Sequence, residues 1–287
     1  MASALGQAHV PFGADGSGLY SLATLGCFDV ILACRTDVLT SLPSRIHGVF
    51  RIADYGPADG GTSLALFNEV IDAALANGAS TITISYIDQP NNDWKSLFFH
   101  AGGQRRIGDI PPLSDHPNVF YAAIGRSFHT QCVPPASLDL AISFTAMHWL
   151  SRKPCDISTG VHATQASVAR ERDAFAAQAA ADWDAILVAR AAELVLGGRF
   201  VVANFTVSPD GEWLGHTAEV PECMFMTFDA IWGEMCREGR IGEEERLRAT
   251  FINYYRSEEE LIAPFRAGGA AFGAGLRVVS CRFLKTP

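Results

Sequence analysis

The sequence predicts an α/β fold, a doubly wound, mostly parallel sheet with a helical cap. Three observations predict it. Short β-branched runs alternate with stretches of helical apolar spacing from residue 48 onward. Most of these runs end on glycine or a polar residue, the ends at which open sheets of this kind bind ligands. A Met- and aromatic-rich stretch within 208–247 then interrupts the alternation. At 287 residues the chain is read as one domain, 1–287, with an N-terminal helical lid segment at 19–42 and a helical cap insertion at 208–247.

Taken in order, residues 19–42 carry helical apolar spacing (Leu22, Leu25, Phe28, Val30, Ile31, Val38) and stop at Pro43. GVFRIADYG at 48–56 is the first strand, and TSLALFNEVIDAALANG the helix after it, stopped by Gly78. TITISYID at 81–88, NVFYAAIG at 118–125 and LDLAISF at 138–144 are further strands, with a short helix at 91–99 between the first two. An Ala-rich helix spans 165–196 to Gly197-Gly198, and RFVVANFTV at 199–207 is a fifth strand. A helix at 219–240, another at EEELIAPF and a closing strand at GLRVVSCRF complete the reading. The apolar stripe of 219–240 fits a lid, although ordinary core packing is the commoner origin of such a stripe.

Composition excludes several classes. With 48% hydrophobic and 18% charged residues the chain is globular, not disordered. A net charge of -9 without Lys/Arg clusters argues against nucleic acid. Seven scattered cysteines without a C-x-x-C pair read as reduced thiols, neither disulfides nor metal ligands. The start lacks the basic and apolar regions of a signal peptide, and no run approaches the ~18 apolar residues of a membrane span. The expected location is cytoplasmic, with no membrane partner and a homodimer possible.

Asp54 and Gly56 close the first strand, where a ligand binds in an open parallel sheet. The turn lacks G-x-G-x-x-G, so a dinucleotide is not indicated. Asp88 closes the second strand, where a carboxylate can accept both hydroxyls of a ribose, or cap the helix that follows. Ser127-Phe128 offers a hydroxyl and a ring for a base, although a core Phe reads the same way. The run SFTAMHWLS brings an exposed-looking Met147-His148-Trp149 cluster to the fourth strand's edge.

YSLAT (20–24), ADYGPADGGT (53–62), IDQPNNDWKSLF (87–98), SFHTQCVPPASLDLAISFTAMHWLS (127–151) and EMCREGRIGEEE with NYYRSEEEL (234–261) stand in one order and spacing. By these segments the chain resembles the SABATH methyltransferases, the salicylate, jasmonate and theobromine group of S-adenosylmethionine-dependent enzymes, over nearly its whole length. The resemblance implies a Rossmann-like class I methyltransferase fold and S-adenosylmethionine as cofactor. It implies that Tyr20, Thr24, Asp54, Gly56 and Thr62 line the methionine end, that Asp88 holds the ribose, and that Gln89, Ser127 and Phe128 flank the adenine. His148 and Trp149 match the acceptor-binding pair, and Phe225 and Met226 match apolar pocket walls. Cys27 stands where many members carry an acceptor-clamping glutamine, Ala23-Thr24 replace an Asn-Ser pair, Thr62 replaces an asparagine, and Tyr55 and Pro57 alter the first turn.

The expected reaction is methylation of the carboxyl group of a small apolar acid, with no metal and no general base. Its rivals are N- or O-methylation of a heterocycle or phenol, with His148 as base, and a nucleoside-binding protein without catalysis.

Overall fold

The structure is a computed structural model and describes residues 13–285; the first twelve residues, read above as carrying no leader, lie outside them. The described chain forms two compact units, one of residues 13–147, 188–203 and 280–285, the other of 148–187 and 204–279.

The first unit opens with helix α1 (Leu19–Ala23) and helix α2 (Leu25–Thr40). The expected single helix is broken at Thr24, whose backbone leaves the helical region (φ -99°, ψ 62°) while its hydroxyl donates to the Tyr20 carbonyl at 2.6 Å. Only Ile31, Cys34 and Val38 of α2 are buried, while Leu22, Leu25 and Leu32 face outward.

Strand β1 (Gly48–Tyr55), helix α3 (Leu64–Ala76), strand β2 (Ala79–Asp88), helix α4 (Trp94–Ala101), strand β3 (Val119–Gly125) and strand β4 (Leu138–Phe144) follow as expected. Helix α3 forms because Leu64, Phe67, Val70, Ile71 and Ala74 recur on one face, and all are buried. It stops at Asn77-Gly78, where φ of +100° suits glycine. Helix α5 (Ala169–Glu193) and strand β5 (Leu194–Ala203) complete the layer.

The five strands are parallel in the order β3-β2-β1-β4-β5. The order reverses between β1 and β4, which pair through Ile52–Leu140 and Asp54–Ile142. Ligands bind at such a switch point because the connections leave the strand ends in opposite directions. Beneath it lies the core of Phe50, Ile52, Ile82, Ile84, Leu140 and Ile142, closed by Val38, Phe67 and Ile71. Each such side chain contributes roughly 1.5–3 kcal/mol by leaving water.

Strand five starts earlier than the sequence pattern indicates. Gly197-Gly198 is not a helix stop: Leu138 pairs with Leu194 and Leu140 with Arg199, so the glycines sit in an irregular stretch inside β5. Helix α5 ends at Glu193 instead, where Ala136 and Ser137 N–H groups satisfy the carbonyls of Ala192 and Glu193.

The second unit contains the N-terminal part of α5, helix α6 (Met224–Arg237), helix α7 (Glu243–Arg248), helix α8 (Glu258–Ile262) and helix α9 (Ala270–Gly273). The expected closing strand over GLRVVSCRF does not form, and Val278 and Val279 are exposed. A β-branched run becomes a strand only where an edge receives it. Here Arg277 donates to the carbonyls of Phe272 and Leu276 instead.

Candidate active site

The carboxyl end of β1 gathers polar groups in a buried setting. Asp54 accepts from the Ser63 hydroxyl at 2.9 Å, and burial pushes its carboxyl up to about 7, against the pull of that hydrogen bond. Gly56 follows with φ of +77°, a region closed to most side chains. A Cβ there would collide with Ala146, so only glycine lets the turn approach that residue.

Asp59, two residues before Gly61, accepts from the Ser21 N–H at 2.9 Å, from the Ser21 hydroxyl, and from the Gly61 N–H at 3.2 Å. Burial alone would raise this carboxyl, but His100, 3.8 Å away, and the Ser21 bonds hold it below the usual carboxylate range. Asp59 thereby fastens α1, and with it Tyr20, to the first turn. Neither Asp59 nor Ser63 was singled out from sequence: one faces a partner 38 residues away, and the other sits among ordinary turn residues.

At the end of β2, Asp88 accepts from the Gln89 N–H at 2.7 Å and the Ala58 N–H at 3.2 Å. Burial pushes it up to about 6 in spite of both bonds. It does not cap the following helix. That role falls to Asp93, which accepts from the Ser96 N–H at 3.0 Å and the Gly16 N–H at 3.0 Å. The Asp88 carboxylate thus faces the β1 turn and retains lone pairs for a ligand.

The loop after β3 carries Ser127 and Phe128. Phe128 is buried, with its ring 4.6 Å from that of His129, and the Ser127 hydroxyl is 3.0 Å from His129 Nδ1. A pocket at the switch point is lined by Tyr20, Cys27, Ile31, Asp54, Gly56, Pro57, Thr62, Ser63, Phe144 and Thr145. Cys27 Sγ lies 3.8 Å from the Tyr20 hydroxyl and 3.5 Å from that of Thr145. Burial raises the Tyr20 phenol well above its ordinary value, so it is a neutral donor. Of the expected cofactor residues, Thr24 alone directs its hydroxyl to a helix-end carbonyl.

Cys27 apart, which lines the pocket of the first unit, the expected acceptor residues belong to the second unit. His148 and Trp149 are not an exposed pair: Met147 and His148 are buried and Trp149 is partly so. Trp149 forms an antiparallel bridge to Asn253, and Leu150 N–H donates to Ile252. The His148 ring lies 4.9 Å from Phe205 and 5.8 Å from Tyr255. Phe225 is buried, stacked on His162 at 4.0 Å, and beside Phe251 and Tyr255; Met226 is exposed. His162, unnoticed in the sequence, is driven down to about 3 by burial, so it is neutral and packs as an aromatic ring.

A parallel α/β sheet with carboxylates at the ends of β1 and β2, a glycine turn between them and a buried ring beside it has the form of the class I methyltransferase fold. The profile of the SAM-dependent carboxyl methyltransferases matches residues 31–268, and the chain belongs to that family. It is 25% identical to gibberellic acid methyltransferase 2 of Arabidopsis thaliana over 78% of this chain and 61% of that protein. It is likewise 25% identical to loganic acid O-methyltransferase of Catharanthus roseus, over 89% of this chain and 71% of that one. The chain thus spans about two thirds of the length of these relatives. The solved structure of loganic acid methyltransferase with SAH shares the fold, with a TM-score of 0.71 and 23% identity over 88% of this chain and 73% of that one.

Proposed function

We propose that this protein transfers a methyl group from S-adenosylmethionine to a carboxylate oxygen of a small apolar acid. What supports the reading is the family together with Tyr20, Asp54 and Thr62 gathered in one pocket at the switch point, where the methionine end of the cofactor would sit. The relatives named for gibberellic, loganic and jasmonic acids support a carboxylic acid as acceptor. Scattered free thiols support a reducing compartment such as the cytoplasm.

The residues present fit the cofactor. Asp88 would accept the ribose hydroxyls, and Asp54, Tyr20 and Thr62 would meet the methionine end. Ser127, Phe128 and Gln89 would flank the adenine, and Gly56 would leave room that a side chain would fill. When bound, S-adenosylmethionine supplies a methyl group already activated on a sulfonium. An acid of pKa about 4–5 reaches the site ionised, so no residue need remove a proton. The chain's task is alignment and exclusion of water, worth up to ~7–11 kcal/mol for well-oriented reactants.

On the acceptor side the Trp149 N–H is a donor without acceptor capacity, suited to holding one carboxylate oxygen while the other reacts. Cys27 is smaller than a glutamine and a weaker donor, which favours a bulkier acid held by fewer polar contacts.

The test is a screen of aromatic, indolic, terpenoid and fatty acids with methyl-labelled S-adenosylmethionine. The expected product is an alkali-labile methyl ester. Label fixed only in alkali-stable products from heterocycles or phenols would replace this reading, and no transfer alongside tight nucleoside binding would favour a non-catalytic role.

A further inference from the structure

Tyr55 sits between Asp54 and Gly56, and the function proposed above leaves it without a role. Its hydroxyl donates to Glu193 at 2.5 Å, and its ring lies 3.9 Å under the Arg190 guanidinium. Burial, against the opposing charge of Arg190, holds the phenol well above its ordinary value, so it remains a donor. Arg190 and Glu193, near the end of α5, are wholly buried and joined by bonds of 2.6 and 3.1 Å.

The remaining capacity of this ion pair goes to one loop. Arg190 donates to the carbonyls of Phe128 and Thr130, each at 2.9 Å. Glu193 accepts from the N–H of Cys132 and, at 3.1 Å, from that of Val133. Four backbone groups of an irregular loop thus end on one pair of charges, although loop backbone ordinarily turns to water. Stability alone is a poor reason to bury such a pair, because desolvation offsets most of the attraction. Geometry is a better one, since a planar guanidinium and a carboxylate fix several partners in direction.

We propose that Arg190 and Glu193 are positioning residues for the nucleoside, setting the Phe128 loop against the β1 turn through Tyr55. The inference rests on the functional reading above, in which Phe128 flanks the adenine. It assigns a task to the altered first turn: a tyrosine after Asp54 links the turn to a loop more than 70 residues away in sequence. The loop is therefore ordered before ligand arrives.

The test compares Arg190→Lys, Glu193→Gln and Tyr55→Phe with the parent, measuring S-adenosylhomocysteine affinity by calorimetry and kcat and KM for the methyl donor. Lys keeps the charge and loses the fork, and Arg190→Lys should raise both Kd and KM about tenfold while kcat at saturation stays within about twofold. Tyr55→Phe, the mildest change, should raise them about threefold. Hydrogen exchange in the ligand-free parent should show the Cys132 and Val133 amides protected, and in Glu193→Gln exposed.

Loss of thermal stability with unchanged Kd would make the pair merely structural and overturn the proposal. Where Arg190→Lys does not fold, an unchanged Kd in Tyr55→Phe overturns it as well. Phe128→Ala and Asp88→Ala serve as references: parent-like binding in both would remove the nucleoside site itself, whereas weakened binding there with parent-like Arg190 and Tyr55 variants would sink this inference alone.

Discussion

Around their candidate site residues, the two units bury polarity differently. In the sheet unit, Asp54, Asp59 and Asp88 lie at strand ends and turns, each fed by N–H or hydroxyl donors. In the other, the buried polar rings are histidines packed among aromatics, His148 near Phe205 and His162 on Phe225. Carboxylates held by directed hydrogen bonds suit a ligand that never changes, such as a cofactor shared by a whole family. An aromatic cluster has shape but few directed bonds, and suits an acceptor that differs from one relative to the next.

This contrast is open to attack from either side. The largest expected effect is on the acceptor side: Trp149→Ala should lower turnover more than about 100-fold while S-adenosylhomocysteine affinity stays within about threefold. Calorimetry beside a turnover assay decides it, and equal loss of both would make Trp149 a packing residue. On the cofactor side, Asp88→Ala removes a charged acceptor worth ~1.5–3 kcal/mol and should weaken S-adenosylhomocysteine roughly 10- to 100-fold. Unchanged affinity in a folded variant would take the ribose away from Asp88.

Next comes acid stability. His162 is held down to about 3 by burial, so its contribution is fully present above its unfolded value near 6.5 and is lost as pH falls below that. By about pH 5 the parent should lose about 2 kcal/mol relative to His162→Gln, read as the difference between their urea midpoints. Parallel pH curves would show that His162 does not stay neutral in the fold.

The carboxylates titrate in the opposite sense. Burial raises Asp54 to about 7 and Asp88 to about 6, so in the ligand-free protein they take up protons as pH falls through those values. A ligand that needs them ionised must displace those protons. Affinity for S-adenosylmethionine should therefore rise about 100-fold between about pH 5.5 and 8, and Asp54→Asn should flatten the upper part of that rise. A pH-independent Kd in the parent would show that the cofactor needs neither acid ionised.

Sequence reading reached the first region further than the second, for physical reasons. Strands alternating with amphipathic helices leave a periodic trace, and an acid after a buried strand marks a strand end, so Asp54 and Asp88 were visible. The contacts that fasten the turn around them were not. Ser21 lies 38 residues from Asp59, Glu193 lies 138 from Tyr55, and Arg190 sits in an Ala-rich helix where it reads as a solvated cation. In the second unit, His148 looked exposed because polar and aromatic residues follow a strand end there; the bridge from Trp149 to Asn253, more than 100 residues on, is a tertiary fact. GLRVVSCRF misled in the other direction, since β-branched composition shows what fits a sheet edge and not whether one is offered.

The central claim is that an ionised carboxylate is methylated by alignment alone. It is tested most directly by the pH dependence of kcat at saturating S-adenosylmethionine, for the best acid found in the screen, in the parent and in His148→Gln. Saturation removes the titration of Asp54 and Asp88 from the measurement. Between about pH 6.5 and 8.5 an acid of pKa about 4–5 stays ionised, so kcat should be flat in both proteins, whatever its level in the variant. A steep rise toward high pH in the parent that disappears in His148→Gln would show a proton being removed by that imidazole, and would contradict the account in favour of a heterocycle or phenol acceptor.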